Sequence, residues 1–292
     1  MTPLPIIPRP SEQETLLANI AKGQPTLILG DIGIGKTVLL KQVAGQLDHA
    51  IYIDTISPIK SALLDILQAL HRKGDLQIEG IQTEYLPWEE LFKKLSRHTV
   101  KTLLGLVQTQ MSGKAYVLFL DGLETATPTM ARHILALMEH ATVIGAATEK
   151  KTGLKKLWWR FETLEIPPLT PQESQQLLWT LLDRHALTDS ALFERTVMNQ
   201  ANGNPMVITQ LAEMAKKEAF LTPAQIRALR HEAGLKFLDI TPLFFLIGTV
   251  AIAARFFALG INSIDLYLLA GVTGGVFMGL RYFVYKSMRG GE

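Results

Sequence analysis

Residues 30–37 read Gly-Asp-Ile-Gly-Ile-Gly-Lys-Thr, which fits the pattern G-x-x-x-x-G-K-[ST]. The apolar run 25–30 precedes this stretch, and the amphipathic run VLLKQVAGQL follows it. A strand, a glycine loop and a helix start are the context that this pattern requires in order to bind phosphate. Glycines let backbone N–H groups turn toward an anion, and the helix N-terminus adds positive potential. The sequence therefore predicts a phosphate-binding loop.

This loop predicts a nucleotide site that uses ATP and Mg²⁺. We expect Lys36 to reach the β- and γ-phosphates and the Thr37 hydroxyl to ligate Mg²⁺. The predicted nucleotide-binding residues of the loop are Gly30, Asp31, Ile32, Gly33, Ile34, Gly35, Lys36, Thr37 and Val38.

A second segment supplies the carboxylate that such a loop needs. Residues 115–121 (AYVLFLD) form an apolar run that ends in Asp121, and Glu124 follows three residues later. Asp121 is predicted to hold Mg²⁺ together with Thr37, and Glu124 to orient or deprotonate the attacking water. The alternatives are that Asp121 only closes a strand and that Glu124 is an ordinary solvated or helix-capping acid.

The pattern of apolar runs predicts an α/β fold with a parallel sheet. Five runs alternate with helical patterns, which favours right-handed crossovers between parallel strands: 26–29, 50–54, 115–120, 142–147 and 162–166. We predict a P-loop NTPase core over 1–168, a small helical lid over 169–235 and a transmembrane hairpin over 236–292.

The hairpin prediction comes from two apolar runs, 240–261 and 264–285. A helix of 22 residues is about 33 Å long, enough for a hydrocarbon core of about 30 Å. Lys and Arg flank the pair and are missing from the turn between the runs, which predicts that both termini and the ATPase domain are cytoplasmic. These features predict a multi-pass protein of the cell membrane, in contact with lipid. The alternative is a buried helical pair.

Composition limits the remaining possibilities. The chain has 292 residues, a net charge of +2 and no cysteine, which excludes disulfides and thiolate metal sites. The near-neutral charge disfavours a uniformly basic nucleic-acid binder. A basic run from Lys150 to Arg160 lies beside Trp158 and Trp159, and it fits either nucleic-acid contacts or a solvated loop.

GDIGIGKTVLL together with FLDGLE resembles the signal-transduction ATPases with numerous domains (STAND), of the NACHT and NB-ARC kind, within the AAA+ group. The resemblance covers roughly residues 9–220. NACHT proteins typically carry D-G-L-D-E at the second motif, and here Thr125 takes the place of the second adjacent acid.

The resemblance implies roles for residues outside the two motifs. Arg9 and the acids at 12 and 14 match an N-terminal arginine-glutamate box, and Thr148 matches a polar phosphate sensor, with Lys150 in the place of an arginine two residues later. Arg160 matches an arginine that acts on a neighbouring protomer's ATP, which implies a homo-oligomer. Pro205, in the segment ANGNP, matches a proline that packs near adenine.

We therefore expect a membrane-anchored protein that binds and hydrolyses ATP with Mg²⁺ to drive a lid or oligomer switch, which acts on an unidentified protein partner. Two alternatives remain: a slow-turnover signalling switch or scaffold, which the missing second acid favours, and a membrane-tethered DNA-handling ATPase.

Overall fold

The structure is a computed structural model of the chain. It describes residues 9–80, 83, 85–183 and 189–217, and isolated positions at 249–250, 252–253, 256–257, 260, 264–265 and 271. The chain divides into two compact units, residues 1–234 and 235–292. The fold and the site described below belong to the first unit.

A five-stranded sheet forms the centre of this unit, with the strand order β2-β3-β4-β1-β5. All neighbouring strands are parallel, as the alternation of apolar runs and helical patterns predicts. The strands are β1 (Thr26–Leu29), β2 (Ala50–Ile53), β3 (Val117–Leu120), β4 (Thr142–Ala147) and β5 (Glu162–Glu165).

Helices cover both faces of the sheet because successive side chains of a strand point in opposite directions. On one face Ile28 and Phe119 pack with Leu40; on the other, Leu27 and Leu118 pack in a second cluster. Burial on both faces explains why the central strands are continuous apolar runs without alternation.

The first cluster includes residues of α1 (Pro10–Ala21) and α2 (Lys36–Ala44). The second cluster includes residues of the helices between β2 and β5, namely α3 (Ile59–Arg72), α4 (Trp88–Leu95), α5 (Val100–Met111), α6 (Pro128–Leu137) and the single turn α7 (Lys155–Trp158).

Three further helices pack around a core of their own, within the range predicted as the lid, and we refer to them as the lid. They are α8 (Pro171–Leu181), α9 (Ser190–Ala201) and α10 (Pro205–Lys217). Leu178, Phe193 and Leu211 are fully buried at their centre. Thr170 and Glu173 form a capping box that begins α8, because each side chain accepts a hydrogen bond from the other residue's backbone N–H.

The strand order determines where a site can form. The chain leaves β1 in the middle of the sheet and enters β2 at its edge, and β3 and β4 later fill the gap. In open α/β sheets, ligands bind outside the carboxyl ends of the strands near such a reversal. The loops after β1, β3 and β4 therefore meet at one edge, which we call the carboxyl edge.

The two predicted transmembrane helices are wrong. Among the residues that the structure describes, no helix combines the length and the apolar character needed to cross a membrane. Most positions of the predicted spans 240–261 and 264–285 lie outside those residues. The hydropathy argument measures only composition, whereas a span requires an unbroken apolar helix of about 20 residues.

The predicted location in the cell membrane, with both termini cytoplasmic, depended on those two spans. It is corrected together with them, as is the predicted contact with membrane lipid. The placement of Lys and Arg at both flanks of the pair no longer predicts an orientation, because it orients a protein only when membrane spans exist.

Candidate functional site

The loop between β1 and α2 has the backbone shape of an anion cradle. Gly33 and Gly35 have φ angles of +79° and +108°, which favour glycine. The helix α2 then begins at Lys36. The first N–H groups of a helix have no partner within the helix, and the helix dipole adds positive potential there. The N–H of Ile34 already donates to the Asp31 carbonyl at 3.3 Å, so residues 33 and 35–38 offer the backbone donors to an anion.

The side chain of Lys36 folds back over this loop. Its Nζ donates to the carbonyl oxygens of Gly30 and Asp31, at 2.8 and 2.9 Å, and the residue is 9% exposed. Burial lowers the pKa of Lys36, although the charges of Glu124, Asp121 and Asp31 oppose that shift. Within the described ranges, no carboxylate lies within 4.0 Å of this ammonium group. Only neutral carbonyls hold it, so an anion can compete for it.

Thr37 and Asp121 meet directly although they lie on different loops. The Thr37 hydroxyl donates to Asp121 Oδ2 at 2.6 Å, and the backbone N–H of Gly122 donates to Oδ1 at 2.9 Å. Mg²⁺ prefers oxygen ligands and is usually held by one or two carboxylates together with substrate phosphates. The hydroxyl and carboxylate oxygens found here fit that donor set. Over the described part of the chain, no cluster of three His, Asp or Glu residues forms a separate metal site.

Tyr52 adds a third contact to the same carboxylate. This residue lies on β2, beside β3, and its hydroxyl donates to Asp121 Oδ2 at 3.1 Å. Burial raises the pKa of Tyr52, and the charge of Asp121 raises it further. The phenol therefore stays protonated and remains a donor at neutral pH.

Glu124 connects the loop after β3 with the end of β4. Its Oε2 accepts a hydrogen bond from the backbone N–H of Thr148 at 3.3 Å. The carboxylate of Glu124 therefore has one backbone partner at the end of β4. The structure thus brings two predicted site residues, Glu124 and Thr148, together at the carboxyl edge near Asp121.

The lid contacts the loop through the first turn of α10 and the residue before it. Asn204 Nδ2 donates to the carbonyl of Ile32 at 2.8 Å, and the backbone N–H of Met206 donates to the carbonyl of Gly33 at 3.3 Å. A Cβ at Gly33 would lie 2.5 Å from Met206 Cβ, so only glycine allows this close approach. Pro205 lies between the two contact residues and begins α10.

Arg9 holds the loop from the other side. Its guanidinium donates to the carbonyls of Ile34 at 3.2 Å and Pro167 at 2.9 Å, and it forms an ion pair with Glu12 at 3.2 Å. It therefore connects the N-terminal helix, the loop and the segment that leads into the lid.

A cavity of about 440 Å³ lies between the loop, α2 and the lid. Its volume falls in the range of small-molecule sites. Phosphate-loop residues line one end, and lid residues line the other. The lining consists of Arg9, Gly33, Ile34, Gly35, Lys36, Thr37, Val38, Leu39, Gln42, Leu169, Leu177, Pro205, Met206, Thr209, Gln210 and Glu213.

The segment from Lys150 to Arg160 does not line this cavity. Lys150 Nζ donates to Thr163 Oγ1 at 2.6 Å, on the edge strand β5. Arg160 is exposed, and in the described part of the chain it forms no ion pair within 4.0 Å. Trp158 is buried and donates to the Lys151 carbonyl, whereas Trp159 is 84% exposed.

Three contact residues were missed by the sequence analysis, namely Tyr52, Asn204 and Met206. Tyr52 reaches Asp121 from a strand 69 residues earlier, and Asn204 reaches Ile32 across 172 residues. The one available signal was local: Asn204 precedes Pro205 in the segment that the resemblance already singled out.

Comparison with known proteins identifies the fold. No protein-family model matches the chain, and no curated protein matches its sequence. A Walker-type ATPase of Pyrococcus abyssi has a similar structure, with 15% sequence identity and a TM-score of 0.50, over 87% of this chain and 80% of that chain. At this identity the likeness shows the fold alone, which is the α/β parallel-sheet fold of P-loop ATPases.

Two further structures come from Thermotoga maritima. A RuvB variant is 16% identical, with a TM-score of 0.46, over 76% of this chain and 68% of that chain. The RuvB Holliday junction branch migration motor is 15% identical, with a TM-score of 0.43 and the same coverage.

Proposed function

We propose that this protein is an ATPase of the AAA+ group, of the STAND kind, that binds ATP with Mg²⁺ between its core and its lid. One observation carries the proposal: the glycine loop, Lys36 and Thr37 form one wall of a 440 Å³ cavity whose other wall is the lid. Hydrolysis then switches the lid or an oligomer, and the switch acts on an unidentified protein partner.

The chemistry follows from the positions of the side chains. Lys36 leaves its two carbonyl partners and neutralises the β- and γ-phosphates, while backbone N–H groups of residues 33 and 35–38 hold the phosphate chain. Thr37 and Asp121 would hold Mg²⁺, which supplies charge neutralisation at the phosphates. Glu124 orients the attacking water and accepts its proton.

The lid contacts support coupling between nucleotide and lid position. Asn204 and Met206 hold the carbonyls of Ile32 and Gly33, in the same loop that receives the phosphates. Pro205 lines the cavity and supplies an apolar surface for the adenine. A change in the loop on hydrolysis therefore reaches the lid without an intermediate element.

Arg160 supports a homo-oligomer. An exposed guanidinium without an ion pair in the described part of the chain is available to a neighbouring protomer, where it would stabilise charge on the γ-phosphoryl group. Mixing Lys36→Ala with Arg160→Ala protomers tests this role. We expect the mixture to recover activity that neither variant has alone; an assembled mixture without recovery contradicts it.

The main test separates an ATPase from a slow switch. We expect the full chain to bind ATP and ADP and to release phosphate over repeated turnovers when Mg²⁺ is present, and not in EDTA. Tight retention of ADP without repeated turnover would instead favour the switch. Two features of Glu124 support the slow switch. No second acid lies beside it in the sequence, and its carboxylate already accepts a hydrogen bond from Thr148 N–H. Absence of any nucleotide binding would overturn both.

The exposed Trp159 supports a second candidate, a DNA-handling ATPase. An indole that is 84% exposed beside Lys155, Lys156 and Arg160 offers stacking and phosphate contacts. Titration of single-stranded DNA at two salt concentrations tests it, with Trp159→Ala as the variant. Equal affinity of the wild type and the variant would remove this candidate.

A further inference from the structure

Asp121 accepts a hydrogen bond from the Tyr52 hydroxyl in addition to those from Thr37 and Gly122. An ionised carboxylate offers about four lone-pair positions, two on each oxygen. Thr37 and Tyr52 both donate to Oδ2, at 2.6 and 3.1 Å, and the N–H of Gly122 donates to Oδ1 at 2.9 Å. These three donors leave one acceptor position, and it is on Oδ1.

The ring of Tyr52 is itself held in place. Lys41 Nζ lies 4.9 Å from the ring centroid, a distance at which a cation is attracted to the ring face. The same ammonium group forms an ion pair with Asp54 at 3.2 Å. The hydroxyl therefore projects from β2 with a fixed direction, toward a carboxylate on the neighbouring loop.

We propose that the Tyr52 hydroxyl is a positioning group for the Mg²⁺ site, which directs the remaining acceptor position of Asp121 Oδ1 toward metal-bound water. The inference rests on the proposed function, because it concerns the same metal. Hydrogen-bonding partners of this kind fix the orientation of the group that they contact, and their loss commonly weakens metal affinity about 10- to 100-fold.

The test is a Mg²⁺ titration of ADP binding to the full chain, followed with a fluorescent ADP analogue. For Tyr52→Phe we expect the Mg²⁺ concentration at half-saturation to rise about tenfold. The affinity for ADP in EDTA should stay within about twofold, because the variant changes neither the loop nor Lys36. An unchanged Mg²⁺ midpoint overturns the inference.

Two control variants separate the hydroxyl from packing. Tyr116 donates to Asp75 at the amino ends of the strands, so Tyr116→Phe removes the same kind of hydrogen bond away from the site and should leave the Mg²⁺ midpoint unchanged. Lys41→Met keeps the hydroxyl but removes the cation that helps to hold the Tyr52 ring, so we expect its Mg²⁺ midpoint to rise less than that of Tyr52→Phe. A midpoint shift in Tyr116→Phe as large as that of Tyr52→Phe would mean that the effect does not come from the hydroxyl at the site, and it would overturn the inference.

A double variant tests whether Tyr52 acts through Asp121. We expect Asp121→Asn with Tyr52→Phe to have the same Mg²⁺ midpoint as Asp121→Asn alone, since partners in one network are not additive. Additive shifts would contradict the inference. Failure of the wild type to bind ADP in either condition would instead overturn the proposed function, so the two failures are distinguishable.

Discussion

The two ends of the sheet carry similar side chains in opposite arrangements. At the carboxyl edge, Tyr52 and Thr37 donate to Asp121, while Lys36 rests on backbone carbonyls. At the amino ends of the strands, which we call the amino edge, Lys114 and Tyr116 both donate to Asp75.

The difference lies in which charges are satisfied within the chain. At the amino edge the lysine and the aspartate form an ion pair, so little is gained by binding a ligand. At the carboxyl edge the lysine has no carboxylate within 4.0 Å among the described residues, and it lies in the wall of a cavity. Substitutions at the carboxyl edge should therefore change function, and those at the amino edge should change stability.

The largest expected effect is that of Glu124→Gln on turnover. Glutamine can still accept a hydrogen bond from Thr148 N–H but cannot take a proton from water, so we expect kcat to fall roughly 10²- to 10⁴-fold. ATP affinity should change little. Phosphate release and ATP binding, measured on the same preparation, check this. Full activity of the variant would return Glu124 to the role of an ordinary surface acid.

The second-largest expected effect is that of Lys36→Ala, which should weaken ATP binding. Removal of a buried charge that contacts the phosphates costs about 2–5 kcal/mol, which is roughly 30- to several-thousand-fold in Kd. The matched control is Lys41→Ala on the same helix, because Lys41 is half-exposed and pairs with Asp54 outside the cavity. Calorimetric titration of ATP into both variants in EDTA, where the Mg²⁺ site that Tyr52 positions is empty, makes the comparison. Equal affinities would remove the phosphate role of Lys36.

Gly33→Ala should disturb the lid contact. Gly33 and Gly113 have φ angles of +79° and +78°, so alanine meets the same backbone cost at both. Only at Gly33 does the added Cβ meet another residue, Met206, whereas Gly113 has open space. We expect the free energy of unfolding in urea, or the free energy of ADP binding, to fall by about 1–3 kcal/mol more in Gly33→Ala than in Gly113→Ala. Identical losses in both measurements would mean that the lid does not need this close approach.

The smallest expected effect is that of Asp75→Asn, and it concerns stability. Hydrogen bonds from Lys114 and Tyr116 hold the pKa of Asp75 below its usual value, against a small opposing effect of burial. A lowered pKa stabilises the fold above the usual aspartate pKa of about 3.9, and this contribution is lost as the pH falls through the lowered pKa.

Because the pair is partly exposed, we expect Asp75→Asn to lower the free energy of unfolding at pH 7 by up to about 1 kcal/mol. The difference from the wild type should shrink between about pH 4 and the lowered pKa. Urea unfolding at several pH values measures it, with ADP affinity as the control. A variant that binds ADP more weakly would break the contrast between the two edges.

Much of the core fold could be predicted because its signals are local. Each of the five predicted runs contains a strand. The three central strands are apolar because both of their faces are buried, whereas the edge strand β5 is largely exposed. Gly33 and Gly35 adopt the positive φ angles that a phosphate loop requires. The prediction of two transmembrane helices from 240–261 and 264–285 is wrong, because no helix among the described residues has the length and apolar character of a membrane span.

The sequence by itself determined the parallel sheet, the glycine loop at the start of α2 and the place of Asp121 at the end of β3, because each depends on neighbouring residues in the chain. Only the tertiary structure decided which residues surround the loop. Tyr52 reaches Asp121 because β2 pairs with β3, and Asn204 reaches Ile32 because the lid packs against the loop after β1. No local pattern encodes such contacts, since they depend on strand order and on helix packing between segments far apart in the chain.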